Sequence, residues 1–185
     1  MEYKITTPVT IEDIKMLRAG DRVLLSGEIY TARDQAHKRI FDALDAGEAL
    51  PFDLEGSAIY YVGPTPEKPG RSIGSAGPTT SGRMDSYSPK LIDLGNKIMI
   101  GKGKRSAEVV QAIKRNGAVY LGAMGGAGAL MAECIKEVEL LAWPDLGCEA
   151  VRRLKVESMP LTVVIDSQGS DLYELGPFAY LKDKA

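Results

Sequence analysis

The chain has 185 residues, a length that suits one domain with a sizeable core. Its composition, 44% hydrophobic and 26% charged, is that of an ordinary globular protein. A net charge of −2 excludes a broad nucleic-acid footprint, so any anion site must come from a few placed cations.

The opening MEYKITTPVT has no basic stretch followed by an apolar one, and no run of 18 apolar residues occurs, so neither a secretory leader nor a membrane span is expected. A cytoplasmic location follows as the expectation. The two cysteines, Cys134 and Cys148, are too few for a four-cysteine zinc site. They are expected as reduced thiols, and no metal site is expected in this chain.

In chain order, Tyr3–Thr7 predicts a short strand and Ile11–Leu17 a short helix, with Thr10 as N-cap and Asp13 completing a capping box. Gly20-Asp21 marks a turn. Arg22–Tyr30 is apolar and β-rich, and Thr31–Leu44 repeats Ala36, Ile40 and Leu44 at helical spacing before Gly47 ends it. Ala58–Val62 predicts a strand. Gly63–Ser88 is long, irregular and punctuated by glycine and proline, as functional loops often are. Then follow a short helix at Pro89–Leu94, a strand at Lys97–Ile100, a helix at Ser106–Arg115 capped by Ser106, and a strand at Ala118–Leu121. After the GAMGGAG turn, Ala129–Ile135 predicts an apolar helix. Glu137–Ala142, Arg153–Glu157 and Leu161–Asp166 predict strands, and Leu181–Ala185 a frayed end. Strands and helices alternate, with extra strands at both ends. The pattern predicts one α/β domain over residues 1–185, with a mixed, partly parallel central sheet flanked by short helices.

Four segments could carry chemistry. In SGEIYTARDQAHKR, residues 26–39, a strand gives way to a helix start, where backbone N–H groups favour anions. Arg33 sits in that first turn, the wrong place for a cation against the helix dipole. It either meets an anion or pairs with a neighbouring carboxylate. His37, the one histidine, is either a locally hydrogen-bonded helix residue or an orienting group.

In SAGPTTSGRMD, residues 75–85, Gly77 permits close approach and Pro78 stiffens the turn. Thr79, Thr80 and Ser81 offer hydroxyls, and Arg83 can grip a carboxylate with two parallel hydrogen bonds. A flexible linker is the competing reading, though Arg-Met-Asp is not linker-like. In IGKGKRS, residues 100–106, the spacing fails the phosphate-loop pattern, since Gly103 stands where serine or threonine is needed. Either a solvated basic turn or a lysine offered to a small anion remains. GAMGGAG serves strand–helix packing or brings backbone N–H groups to an anion. Together these loops offer two arginines, a lysine and hydroxyls, a set that suits a small dicarboxylate but lacks an electrophile.

The runs SG-x-I-Y-T-A-R-D-x-A-H-K-R and G-P-T-T-S-x-R-M-D, with the G-K-G turn, resemble the β region of the class I iron–sulfur fumarase and L(+)-tartrate dehydratase family, from about Thr10 to Gly169. The resemblance implies a swivelling β/β/α domain, the C-terminal domain of one-chain members or the β subunit of two-chain ones. It implies reversible hydration of fumarate to (S)-malate, or dehydration of L-tartrate to oxaloacetate. It also implies a partner α subunit holding a [4Fe–4S] cluster through three cysteines, in a hetero-oligomer such as α2β2, with the open iron polarising the substrate. By motif position, Arg33, Arg83 and Lys102 would bind substrate carboxylates, with Lys104 as an alternative for Lys102. Thr79 would share acid–base work at the reacting carbon, and Gly77, Thr80 and His37 would support it. Two other hypotheses stand beside this one: a dicarboxylate-binding module without catalysis, and a nucleotide-binding α/β enzyme, which the failed phosphate-loop spacing opposes.

Overall fold

The computed structural model describes residues 1–67 and 69–182. The strands are β1 (Glu2–Thr7), β2 (Arg22–Thr31), β3 (Ala58–Tyr60), β4 (Ile98–Gly101), β5 (Val119–Gly122), β6 (Ile135–Ala142) and β7 (Val151–Ile165). The helices are α1 (Ile11–Ile14), α2 (Asp34–Ala46), α3 (Ser88–Asp93), α4 (Ala107–Asn116), α5 (Gly128–Cys134) and α6 (Leu172–Lys182). The fold is α/β, a mixed sheet flanked by short helices.

Strands β2, β3, β4 and β5 run parallel in that order, and β1 adds in parallel to the first half of β2. Strand β7 runs antiparallel. One of its edges pairs with β2; the other pairs with β6 along its first half and β5 along its last residues. The pairing therefore closes on itself, β2 to β3, β4, β5, β7 and back to β2.

Alternation along the central strands sorts side chains into two cores. Ala58, Tyr60, Ile98, Ile100, Val119 and Leu121 face one cluster with Val23, Leu25 and Ile29 of β2. Ile59, Met99 and Tyr120 face the other, where α2 and α4 bury Ala36, Ile40, Val109 and Ile113. Both sides of β3–β5 are covered, which is why these strands are continuously apolar.

Helix α2 buries Ala36, His37, Ile40 and Ala43, one face of a 3.6-residue repeat, and stops at Gly47, whose φ of 68° is the left-handed cap. In α4, Ser106 Oγ accepts the Val109 N–H at 3.4 Å. Ahead of α1, the Thr10 backbone N–H and hydroxyl both donate to Asp13 Oδ2 at 2.7 Å.

Several boundaries differ from those expected from sequence. Strand β2 runs through Thr31 because Thr31 Oγ1 donates to the Ala150 carbonyl at 3.1 Å and accepts the Arg152 N–H at 2.9 Å. Helix α2 consequently starts at Asp34, not Thr31. Helix α1 covers Ile11–Ile14 and not the residues to Leu17. The two strands expected at Arg153–Glu157 and Leu161–Asp166 are halves of the single strand β7. What separates them in the sequence is a bulge: the register on β2 shifts between Leu25 and Gly27, and Ser158 takes a φ of 49°. Pro160 falls between the end of the β6 pairing and the start of the β5 pairing, where that edge needs no donor. Helix α6 was not expected; Gly176 and Pro177 interrupt its pattern, and the signal for it is Asp171, whose Oδ1 accepts the Tyr173 N–H at 2.8 Å. Of the expected frayed end, Leu181 and Lys182 belong to α6, and residues 183–185 lie outside the described residues. No helix among the described residues is long and apolar enough to cross a membrane.

Leu25 is fully buried in the first cluster. Leu25→Ala is expected to lower the unfolding free energy by about 2–5 kcal/mol, read from urea denaturation, without loss of the native circular dichroism signal.

Candidate functional site

The four parallel strands end on one side of the sheet, and three of the four expected site segments directly follow these ends. Arg33 follows β2, residues 61–63 follow β3, Lys102 follows β4, and the GAMGGAG turn follows β5. The Pro78–Ser81 stretch crosses over these ends. Val62 bridges Pro78, and the Thr79 N–H donates to the Tyr61 carbonyl at 2.7 Å. Thr80 bridges Lys102, and the Ser81 N–H donates to the Lys102 carbonyl at 2.8 Å. Backbone pairing thus sets the second and third sequence motifs side by side.

The two arginines meet at Asp34. Arg83 Nε donates to Asp34 Oδ1 at 2.8 Å, and Arg33 Nη2 lies 3.7 Å from Asp34 Oδ2. Arg33 Nη2 is also 3.6 Å from Glu149 Oε1, whose other oxygen accepts the Gln35 N–H at 2.9 Å at the start of α2. The Arg33 side chain is mostly buried, at 18% exposure, and Arg83 is half open, at 51%. Gly63 makes room for the first of them: a Cβ there would lie 2.5 Å from Arg33 Nη1. Arg33 thus pairs with neighbouring carboxylates, one of the two expectations for it.

Thr80, Lys102, Gly103, Gly122, Met124 and Tyr173 line part of a cleft of about 490 Å³, whose walls include neither arginine, nor Asp34, nor Thr79. The Lys102 side chain runs along Gly125, its Nζ 4.0 Å from where a Cβ on Gly125 would stand. Lys102, not Lys104, lines the cleft. The GAMGGAG turn also packs on the hydroxyl loop, with the Ala76 N–H donating to the Gly128 carbonyl at 3.0 Å.

Two supporting groups escaped the sequence reading. Arg105, fully buried, donates from Nε to Asp85 Oδ1 at 2.7 Å and from Nη2 to Ser88 Oγ at 2.7 Å, between the rings of Tyr61 and Tyr120. Tyr120 donates its hydroxyl to the Gly103 carbonyl at 3.0 Å and lies 2.9 Å from Ser81 Oγ. This network ties the Ser81–Met84 turn to the Lys102 turn. The signal for it was Arg105 directly after GKGK and Asp85 directly after Arg83-Met84, an opposite-charge pair across two loops. The other missed residue is Asp34, hidden inside the motif as an ordinary first-turn acid.

His37 is fully buried. Its Nδ1 lies 2.9 Å from the Arg33 carbonyl, its ring is 5.5 Å from Tyr61 and 5.7 Å from Tyr87, and Nε2 has no hydrogen-bond partner among the described residues. Burial drives its pKa down to about 4, opposed by the bond to the Arg33 carbonyl. The neutral ring donates its Nδ1–H to the Arg33 carbonyl at the α2 start, as a locally hydrogen-bonded helix residue does.

Cys134 and Cys148 are free, and among the described residues no group of three or more His, Cys, Asp or Glu side chains could hold a metal ion. The donors of this chain do not fit an iron–sulfur cluster, which needs Cys thiolates in greater number.

A family model described as Fumarase C-terminus matches residues 1–176. The chain is 44% identical to fumarate hydratase 2 of Leishmania major over 88% of this chain and 29% of that protein. It is 41% identical to the aerobic class I fumarate hydratase of Escherichia coli strain K12, over 83% of this chain and 28% of that protein. It is 43% identical to a putative L(+)-tartrate dehydratase subunit beta of Methanocaldococcus jannaschii, over 94% of this chain and 92% of that protein. The chain therefore spans under a third of the fumarate hydratases and nearly all of the tartrate dehydratase subunit.

The His37 environment sets a pH dependence. Its folded pKa, about 4, is below the unfolded value of 6.5, so the unfolded chain binds the proton first as pH falls. The stability of the neutral, buried ring is whole above pH 6.5 and is lost progressively between there and about pH 4. Urea denaturation at pH 7.5 and 4.5 is expected to show a loss of about 2 kcal/mol in the wild type that His37→Gln does not share.

Proposed function

The chain belongs to the fumarase C-terminus family, a family of hydro-lyases, and from that premise we propose that it is the β half of a two-subunit hydro-lyase acting on a four-carbon dicarboxylate. Fumarate, hydrated reversibly to (S)-malate, is the first substrate in this reading. The observation that carries it is the convergence of Arg33 and Arg83 on Asp34, with the loop that bears Thr79 and Arg83 paired by its backbone to Lys102 after β4.

In this reading Arg33 and Arg83 bind the substrate carboxylates, and Lys102 adds a third positive charge at the cleft wall. Guanidinium groups match carboxylates with paired N–H donors, and a clamp of two fixes the diacid against rotation. The same donors stabilise the enolate-like charge that builds when the carbon proton leaves. Thr79 exchanges that proton. A threonine hydroxyl is a poor base alone, so a carboxylate from a partner subunit shares the step. Gly77 lets the loop approach, and Thr80 supports it from the cleft wall. In this reading a [4Fe–4S] cluster is held by the α partner.

L-tartrate is the second reading, favoured by length: the chain matches a beta subunit nearly end to end. Anaerobic co-expression with a cluster-bearing α chain, followed by parallel fumarate and L-tartrate assays, tests both. Activity that needs both chains is expected, and the better substrate names the reaction. A stable complex inactive on both acids would keep the family and move the substrate elsewhere, and no complex at all would favour a stand-alone dicarboxylate-binding module. In the active complex, Arg83→Ala and Thr79→Ala are each expected to lower kcat/KM by about a hundredfold or more, with folding retained. Near-normal turnover in either would remove that residue from the site.

A further inference from the structure

The Arg33–Asp34–Arg83 cluster carries more than a clamp. Two guanidinium groups brought to one site repel each other, and that repulsion is offset by Asp34, bonded to Arg83 and 3.7 Å from Arg33, together with Glu149, 3.6 Å from Arg33. Asp34 does this from the first residue of α2, where a negative charge is favoured by the helix dipole and the backbone is held by a buried helix face. Its bond to Arg83 is made at Nε, through Oδ1 at 2.8 Å. The terminal nitrogens of Arg83 make no hydrogen bond among the described residues, and the side chain is half exposed, so the fork that recognises a carboxylate is left open while its stem is fixed. The cost is visible: Asp34 Oδ2 is buried with no hydrogen-bond partner among the described residues, as is Arg33 Nε.

We propose that Asp34 is a positioning residue for the carboxylate clamp, holding Arg83 by its Nε so that its two terminal nitrogens face the substrate at a fixed distance from Arg33. The functional half of this rests on the dicarboxylate hydro-lyase reading; the hold on Arg83 does not.

The test has two arms. In the full-length 15N-labelled chain, the Arg83 Nε–H resonance is assigned with Arg83→Lys. Asp34→Ala is expected to speed its exchange with water by about tenfold or more, while Asp34→Asn, which keeps an oxygen acceptor at that point, retains most of the protection. If Asp34→Ala fails to fold, Asp34→Ser takes its place, since serine keeps a polar group at the helix start but is too short to reach Nε. In the complex with the α chain, Asp34→Ala is expected to raise KM about tenfold and to lower kcat as well, since the same guanidinium stabilises the developing charge, and Asp34→Asn to recover most of both losses. Unchanged Nε–H exchange in Asp34→Ala overturns the proposal whatever the activity. Faster exchange with an unchanged KM overturns it too, because Arg83 then does not depend on its orientation. If the wild-type complex hydrates or dehydrates neither acid, the fumarate and L-tartrate readings fall by themselves, and the exchange arm still decides whether Asp34 holds Arg83.

Discussion

The antiparallel strand β7 is the constraint on which the rest depends. By pairing with β2 on one edge and with β5 on the other, it closes the set of four parallel strands and leaves their carboxyl ends on one side. Without that closure, the loops after β2, β3, β4 and β5 would belong to an open sheet free to splay. With it, Arg33, Gly63, Lys102 and the glycine-rich turn have fixed neighbours. The bulge at Ser158 lets one strand serve partners at both ends while keeping its apolar residues inward.

The crossing segment at Pro78–Ser81 turns this frame into a site. It is irregular, yet its backbone is paired at Val62, Tyr61 and Lys102, so the hydroxyls of Thr79 and Thr80 stand on a stretch as well fixed as a strand. Below it, Arg105 and Asp85 form a buried charge pair whose remaining donors reach Ser88 and the rings of Tyr61 and Tyr120. A buried pair satisfied to this degree holds loops in one geometry more than it adds stability. A dicarboxylate clamp has that need, because a displaced guanidinium loses its bidentate geometry.

Much of the fold was legible because its causes are local. Capping at Thr10 and Ser106, the left-handed glycine at Gly47 and the apolar runs of β3, β4 and β5 can all be read residue by residue. The failures came from long-range causes. Thr31 looked like a helix start because its bonds to Ala150 and Arg152 come from more than a hundred residues away. The two halves of β7 looked like two strands because a bulge and a proline resemble a turn in sequence. Helix α6 contains Gly176 and Pro177, and only its cap at Asp171 gives it away. The site followed the same rule. Arg33, Arg83, Thr79 and Lys102 stand out as residue types in unusual loops, whereas Asp34 and Arg105 matter only through what they touch across the fold.

A structure of the assembled complex with L-malate or L-tartrate bound is the most direct measurement of whether these loops form a dicarboxylate site. Substrate carboxylates are expected within hydrogen-bond distance of Arg33 and Arg83, with Asp34 still on Arg83 Nε and Lys102 lining the same cavity. A diacid bound away from both arginines, with Arg33 and Arg83 paired only to Asp34 and Glu149, would contradict it.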